Sequence, residues 1–433
     1  MRMESTPHIV VLGAGFAGLT FCQSLRDRRA RVTLIDRQNH HLFQPLLYQV
    51  ATAGLSAPEI AQPVRSILRD HPNVAVRMDE VTAVDLVQRR VRLAHASLEY
   101  DHLVIALGGV TSYFGHPEWE RFAPGLKSIE DALRIRREVL LAFERAENEP
   151  NRAEHDRLLT IVVVGGGPTG VELAGAFAEL ARHVLRRDFR HIDPGEARVI
   201  LLEGGDRVLA HLASDLSASA QRQLETLGVE VRLRAKVSNI SEGLVELADG
   251  TRIEAANVIW AAGVSASPLT RLLGVETDRA GRLKVQPDLS LPGHPEVFAI
   301  GDLALVMQED GKPVPGVSPA AIQQAQHVAR ILDDEMAAPA PGHAPRPAFR
   351  YWDKGSMATI GRSAAVAEIG DIRFGGFPAW LAWLFVHLIF LVGFRNKLAV
   401  LLQWFYSYCT YRRGARIVTG AETCGGAAPQ RAP

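Results

Sequence analysis

Two units of strand, glycine turn, helix and strand, each closed by a carboxylate, predict an α/β fold with two Rossmann-like dinucleotide-binding domains. A third observation, an apolar aromatic stretch from Phe377, adds a C-terminal membrane-associating region. The first unit runs from the strand His8-Ile-Val-Val-Leu12 into Gly13-Ala14-Gly15-Phe16-Ala17-Gly18, through a helical segment, and into a second strand ending at Asp36. Gly13 permits the tight turn, Gly15 lets backbone approach a pyrophosphate, and Gly18 lets helix and strand pack closely. The phosphate then rests on N–H groups at the helix start, where the dipole favours negative charge. Asp36 follows about 20 residues on, placed to accept hydrogen bonds from an adenosine ribose.

Residues 37–54 are rich in aromatics and amides without a clear period, as in a segment that caps a pocket. Gln44 and Pro45 either lie along a flavin or belong to a plain connecting loop, and Arg37 is a candidate cofactor-binding residue. Residues 58–69 read as a helix, 74–78 and 91–93 as short strands, and 81–85 as a further extended piece. Val81 is a candidate for holding an adenine through its backbone. Residues 100–109 form an apolar strand running into glycines, as a buried parallel strand does. Ala106, Gly108 and Gly109 there let backbone pass close to a ring system. Charged helix-forming sequence follows at 128–149, then a polar linker at 149–157.

The opening theme then returns. The strand at 159–164 feeds Gly165-Gly-Gly167-Pro-Thr169-Gly170, a helix to about Arg187, and a strand 198–202 ending at Glu203. The stretch from glycine to carboxylate is longer than in the first unit, so residues 186–196 read as an insertion. Glu203 is either a solvated strand-end carboxylate or a ribose ligand that repels a 2′-phosphate and favours NADH over NADPH. Strands follow at 229–233, 245–247 and 257–260, the last entering Ala261-Ala262-Gly263, which echoes the 106–109 turn and completes the unit by about Pro268. Residues 297–302 return to buried-strand character, with Gly301 and Asp302 at the end. No convincing helix follows, which argues against an N-cap role and favours a carboxylate on a flavin's ribityl or phosphate end. A Pro-rich run at 339–347 marks a boundary.

The 433-residue length calls for two or three domains. The organisation read here is 1–115 and 286–338 for the first domain, 116–157 for a helical connection, 158–285 for the second, and 345–433 for the C-terminal region. Lys plus Arg equals Asp plus Glu, which gives no reason to propose nucleic acid. Cys22, Cys409 and Cys424 are scattered, which predicts a reducing compartment and removes an internal dithiol. No metal-ligand cluster stands out. The first seven residues are too short and polar for a secretory signal, so the catalytic part is expected in the cytoplasm.

The chain resembles the type II NADH dehydrogenases, the single-subunit, non-proton-pumping NADH:quinone oxidoreductases. The resemblance covers nearly all of the chain. It rests on Gly13 to Gly18, Phe43-Gln-Pro-Leu-Leu-Tyr-Gln-Val-Ala-Thr52, Gly165 to Glu172, Ala299-Ile-Gly-Asp302 and Tyr351-Trp-Asp-Lys-Gly-Ser-Met-Ala-Thr-Ile-Gly-Arg362. It implies non-covalent FAD in the first domain, NADH as substrate in the second, and a membrane quinone as acceptor. Candidate catalytic residues are Glu172, Lys354 and Gln323. Glu172 either closes a capping box with Thr169 or holds protons near flavin and nicotinamide. Lys354 either stabilises charge on the reduced flavin or is an exposed turn lysine. The family motif Ala-Gln-x-Ala-x-Gln appears here as Ser318-Pro319-Ala320-Ala321-Ile322-Gln323. Pro319 supplies no amide, Ala321 is a candidate for a backbone N–H to the flavin, and Gln323 faces either quinone or solvent.

Residues 377–394 carry His387 as their one polar side chain and nearly reach a transmembrane length. Trp404, Tyr406, Tyr408 and Tyr411 follow among Arg395, Lys397, Arg412 and Arg413, the mixture found where aromatic and basic groups meet lipid headgroups. The resemblance implies helices lying in one leaflet on the cytoplasmic face of the cell membrane, with a span and a buried dimer helix as alternatives. Competing functions are a soluble NADH-dependent reductase of a small redox protein and an NADH-responsive, non-enzymatic flavoprotein. Dithiol reductases need a cysteine pair, and sulfide:quinone oxidoreductases use cysteines near the flavin.

Overall fold

The computed structural model describes residues 6–27, 29–337, 345–410 and 414–418. Within these the chain forms two compact units, each assembled from three separated segments. Tyr411, Arg412, Arg413, Cys424 and part of the Pro-rich run lie outside the described residues, as do the side chains of Arg395 and Cys409.

The first unit comprises residues 1–42, 61–110 and 264–354. Its centre is a six-stranded sheet in the order Ser290–Leu291, His294–Ala299, His102–Ile105, His8–Leu12, Arg31–Asp36, Val74–Met78. All neighbours are parallel except the first, edge pair. The strand His8–Leu12 is buried along its whole length, which explains why it reads as a continuous apolar run rather than an alternation. The helices Phe16–Ser24 and Ser318–Ala337 pack on each other beside this sheet.

Arg346 ties the unit together. Its guanidinium bonds Glu335 on that last helix at 2.5 Å, Asp288 at 3.0 Å and the Pro295 carbonyl at 2.7 Å, and lies 4.9 Å from the Phe298 ring. Removing it strands two mostly buried carboxylates. Arg346→Met is therefore expected to cost about 3 kcal/mol at pH 7, read as a lowered urea midpoint. Despite the cost of burying it, Asp288 is held below its ordinary 3.8 by Ser290 and Arg346. The Asp288 share of the loss should accordingly be present above pH 3.8 and fade as pH falls through the depressed folded value.

The second unit comprises residues 43–60, 111–263 and 355–433. It holds a four-stranded parallel sheet in the order Val229–Arg232, Arg198–Leu202, Thr160–Val164, Asn257–Trp260. A three-stranded antiparallel sheet, Ser356–Thr359, Ala365–Ile369 and Ile372–Gly375, carries the helix Phe377–Phe390 through Ala365, Ala367 and Ala379. A turn at Gly393 (φ 86°) leads to the helix Phe394–Thr410.

Two local expectations fail. Residues 58–69 are not one helix: Ala57–Ile60 and Val64–Ile67 are separate short helices, and Ala61–Pro63 pairs antiparallel with His40–Leu42. Pro63 has no N–H and disfavours helix at the residue before it. The expected linker at 149–157 contains the helix Arg152–Leu158, whose first turn is capped by the Asn151 side chain on the amides of Ala153 and Glu154. The helix from Pro168 ends at Glu179 and continues as one wider π-type turn, Leu180–Val184.

Among the described residues no helix is long and apolar enough to cross a membrane. The apolar stretch breaks after 14 residues, about 21 Å of helix, against a hydrocarbon core of about 30 Å. Phe377, Leu381, Phe385 and Ile389 on this helix are exposed, as are Leu398, Leu401, Leu402 and Phe405 on the next, whereas Ala379 and Trp383 are buried.

Candidate functional site

Each unit contains one glycine-turn cradle, and the two repeat the same turn-to-strand bonds. In the first, Gly13 has φ 99° and donates to the Ile35 carbonyl at 2.7 Å, while Ala106 donates to Leu12 at 2.8 Å. In the second, Gly165 has φ 110° and donates to Leu202 at 2.7 Å, while Ala261 donates to Val164 at 2.7 Å. A Cβ on Gly13 would strike the Ala106 carbonyl and one on Gly165 the 261–262 backbone, so both turns require glycine sterically. Gly18 and Gly170 face the carbonyls of Gly13 and Gly165 in the same way.

Gly15 and Gly167 are different. Both have ordinary φ, −69° and −73°, and a Cβ on either would meet no protein atom within 4 Å. Neither backbone strain nor protein packing calls for glycine there, which fits a group approaching from outside the chain. The first intrahelical bonds are Leu19 to Gly15 and Val171 to Gly167, so the helices themselves use no amide of their opening turns.

The strand-end carboxylates also match. Asp36 accepts from Ala14 at 2.6 Å and from Gln38 at 2.7 Å; Glu203 accepts from Gly166 at 2.6 Å and from Gly205 at 2.6 Å. Both carboxylates thus brace the glycine turn, a duty the sequence reading did not assign to them. Their remaining lone pairs are what a ribose would use.

Around the first cradle, Gly301 (φ 81°) donates to the buried side chain of Gln324 at 2.6 Å. Asp302 shares a cleft with Arg282, Gly316, Ala321 and Gln324. Sequence reasoning named Gln323 and missed Gln324, whose inward position only the helix phase reveals. Gln323 instead grips the backbone of Trp352, donating to its carbonyl at 2.9 Å and accepting from its N–H at 3.0 Å. That two-point bond fixes the segment bearing Lys354, whose exposed ammonium lies 5.4 Å from the Trp352 ring. The Ala321 N–H is donated to Val317 at 3.1 Å in its own helix. Arg37 is exposed, Gly108 (φ 64°) accepts from Ser267, and Val81 opens an antiparallel strand opposite Leu93. Cys22 is fully buried and its thiol is pushed up to about 12, so it is inert.

In the second unit Gln44 is exposed and donates to the Lys127 carbonyl at 3.2 Å. Ala262 and Gly263 follow the strand Asn257–Trp260 at the cradle's rim. Glu172 is the chemically unusual group. Its helix is capped at Gly167, so Thr169 and Glu172 form no capping box, and the carboxyl is buried instead. Burial pushes it up to about 8; the Thr359 backbone and the Trp383 indole favour its charged form less strongly. Trp383 stacks on His387 at 4.0 Å and lies 6.4 Å from Tyr48 and 5.7 Å from Trp404. Trp404 in turn donates to Gln49 at 2.8 Å, and Gln49 to the Tyr48 hydroxyl at 2.9 Å. Burial lowers His387 to about 4, and its neutral ring donates to the Trp383 carbonyl at 2.7 Å.

Two family models together cover most of the chain. Residues 7–325 match the pyridine nucleotide-disulphide oxidoreductase family, and residues 353–413 match the NDH2 C-terminal domain. The chain is 47% identical over 426 residues to the type II NADH:quinone oxidoreductase Ndh of Mycobacterium tuberculosis, covering 96% of this chain and 90% of that protein. It is 46% identical to NdhA of the same organism, covering 95% and 89%. Among solved structures, NDH2 of Plasmodium falciparum in complex with NADH superposes with a TM-score of 0.87 at 20% identity, covering 96% and 100%. The sulfide:quinone oxidoreductase of Aquifex aeolicus gives 0.70 at 18%, covering 99% and 100%; at such identities the likeness is one of fold.

Proposed function

The chain belongs to the type II NADH:quinone oxidoreductases, and on that premise we propose that its first unit holds FAD, that the 111–263 part of its second unit takes NADH, and that its C-terminal helices seat it on a lipid surface. The enzyme oxidises NADH and reduces a quinone, with non-covalent FAD as the redox group and without proton pumping. FAD, when bound, accepts a hydride and passes on two electrons; what the chain supplies is binding, orientation and charge. The observation that carries this reading is the pair of matched cradles, each with a glycine that neither strain nor packing requires.

In this reading the amides of the Phe16–Ser24 and Pro168–Glu179 helix starts take the two pyrophosphates. Asp36 and Glu203 take ribose hydroxyls while bracing their turns. Phe16, Ala17, Arg37, Val81, Ala106, Gly108, Gly301, Asp302 and Ala321 line the FAD side, and Thr169, Gly170, Ala262 and Gly263 line the NADH side. Glu172 holds a proton at its carboxyl, neutral at pH 7 because water is excluded around it. Lys354, steadied through Trp352 by Gln323, offers fixed positive charge. The exposed apolar faces of Phe377–Phe390 and Phe394–Thr410 meet one leaflet, on the cytoplasmic side where NADH is supplied, and bring a lipid-soluble acceptor to the enzyme without its leaving the membrane.

Stopped-flow mixing tests the proposal. NADH should bleach the flavin's visible absorbance, quinone in detergent should restore it, and NADPH should bleach it at least roughly tenfold more slowly, since Glu203 repels a 2′-phosphate. Bleaching by NADH with no return on quinone would instead mark an NADH-responsive sensor.

A further inference from the structure

The two cradles differ in what holds one backbone carbonyl. In the second, the carbonyl of the residue between the glycines, Gly166, accepts a backbone N–H, that of Leu209, at 2.7 Å. The equivalent carbonyl in the first, Ala14, accepts from a side chain: Nδ1 of His41 lies 3.0 Å away. His41 is 3% exposed and sits in the short strand His40–Leu42, held there by pairing with Gln62. Its ring also meets Phe16, the first helical residue after Gly15, edge to face at 5.1 Å.

A carbonyl oxygen only accepts, so Nδ1 carries the proton. Burial also holds the imidazole below its ordinary value, in keeping with a neutral ring. Ala14 is thereby held through both flanking peptide groups, its N–H by Asp36 at 2.6 Å and its carbonyl by His41. Residues 37–42 form a strap from one clamp to the other.

We propose that His41 is a positioning residue for the FAD cradle: it locks the Ala14–Gly15 peptide group and the Phe16 ring, and so sets how tightly the first unit retains its dinucleotide. The second cradle exchanges its dinucleotide at every turnover and has its carbonyl held by backbone; the first must retain one molecule through many turnovers. The inference rests on the reading that the first unit is the FAD site.

The test is FAD release from the intact holoprotein on dilution, followed by the gain in flavin fluorescence, with NADH affinity measured beside it. His41→Leu keeps bulk and removes the donor; His41→Asn restores an N–H at the position of Nδ1, one bond from Cγ. H41L should release FAD roughly tenfold faster or more, H41N within about threefold of the parent, and both should bind NADH as the parent does. Release from H41L at the parental rate overturns the proposal, as does an H41N protein that leaks as fast as H41L. Weakened NADH binding in H41L also overturns it, since the histidine would then be supporting the whole fold. Gly15→Val separates the underlying reading: the Cβ it adds meets no protein atom within 4 Å, so G15V should fold, bind NADH and lose FAD. If G15V keeps FAD, the assignment of the first unit is wrong; if G15V loses FAD and H41L does not, the role of His41 alone is wrong.

Discussion

Replacing Glu172 with Gln should slow quinone turnover about a hundredfold while making the protein more stable at alkaline pH. The two effects share one cause. Desolvation lifts the carboxyl from 4.5 to about 8, so the folded chain retains a proton that the unfolded chain has released. The sign follows from linkage: with the folded value raised, stability is fully present below pH 4.5 and is lost as pH climbs through about 8. Keeping this acid buried thus costs on the order of 5 kcal/mol above pH 8. Glutamine has the same shape and never ionises. Unfolding curves of E172Q and the parent should coincide near pH 4.5 and separate toward pH 9, with the variant the more stable. Equal turnover would remove Glu172 from the chemistry, and unchanged stability at pH 9 would mean that its carboxyl is wet.

What the sequence carried and what it withheld can be separated at these same residues. The glycine turns, their strands and the closing carboxylates were legible because each meets a local steric demand: a positive φ at Gly13, and a carbonyl packed against Gly18. The burial of the Glu172 carboxyl was not, because its spacing from Thr169 imitates a capping box, which the start of the helix at Gly167 rules out. The contrast between Gln323 and Gln324 is one of helix phase, one residue or 100°, which polar neighbours do not reveal. Pro63 was in view, but a strand of three residues gains nothing from its own sequence and exists through its pairing with residues 40–42. His41 and Arg346 were invisible for a related reason. Their partners, Ala14 for one and Asp288 and Glu335 for the other, lie 27, 58 and 11 residues away, and no local period links them.

The C-terminal helices give the second large expected effect. Leu381, Phe385, Leu402 and Phe405 are 48%, 66%, 58% and 67% exposed, and none belongs to a buried cluster. Each would gain roughly 1.5 kcal/mol on entering hydrocarbon, so together they are worth about 6 kcal/mol, or roughly 10⁴-fold in membrane partitioning. Changing all four to Gln, a good helix former, should move the protein from sedimenting vesicles into the supernatant. Removing exposed apolar groups sacrifices no packing, so the melting curve should stay in place. Trp383 and Trp404, whose rings and hydrogen bonds join the helices to Gln49 and Tyr48, are left intact by these changes. Turnover with a short-chain, water-soluble quinone should therefore persist while turnover with a long-tailed quinone in vesicles collapses. Retention of the quadruple variant on vesicles would show that these faces are not what holds the enzyme to lipid. Loss of both activities together would place the four side chains in the reaction site itself, leaving their membrane role without support.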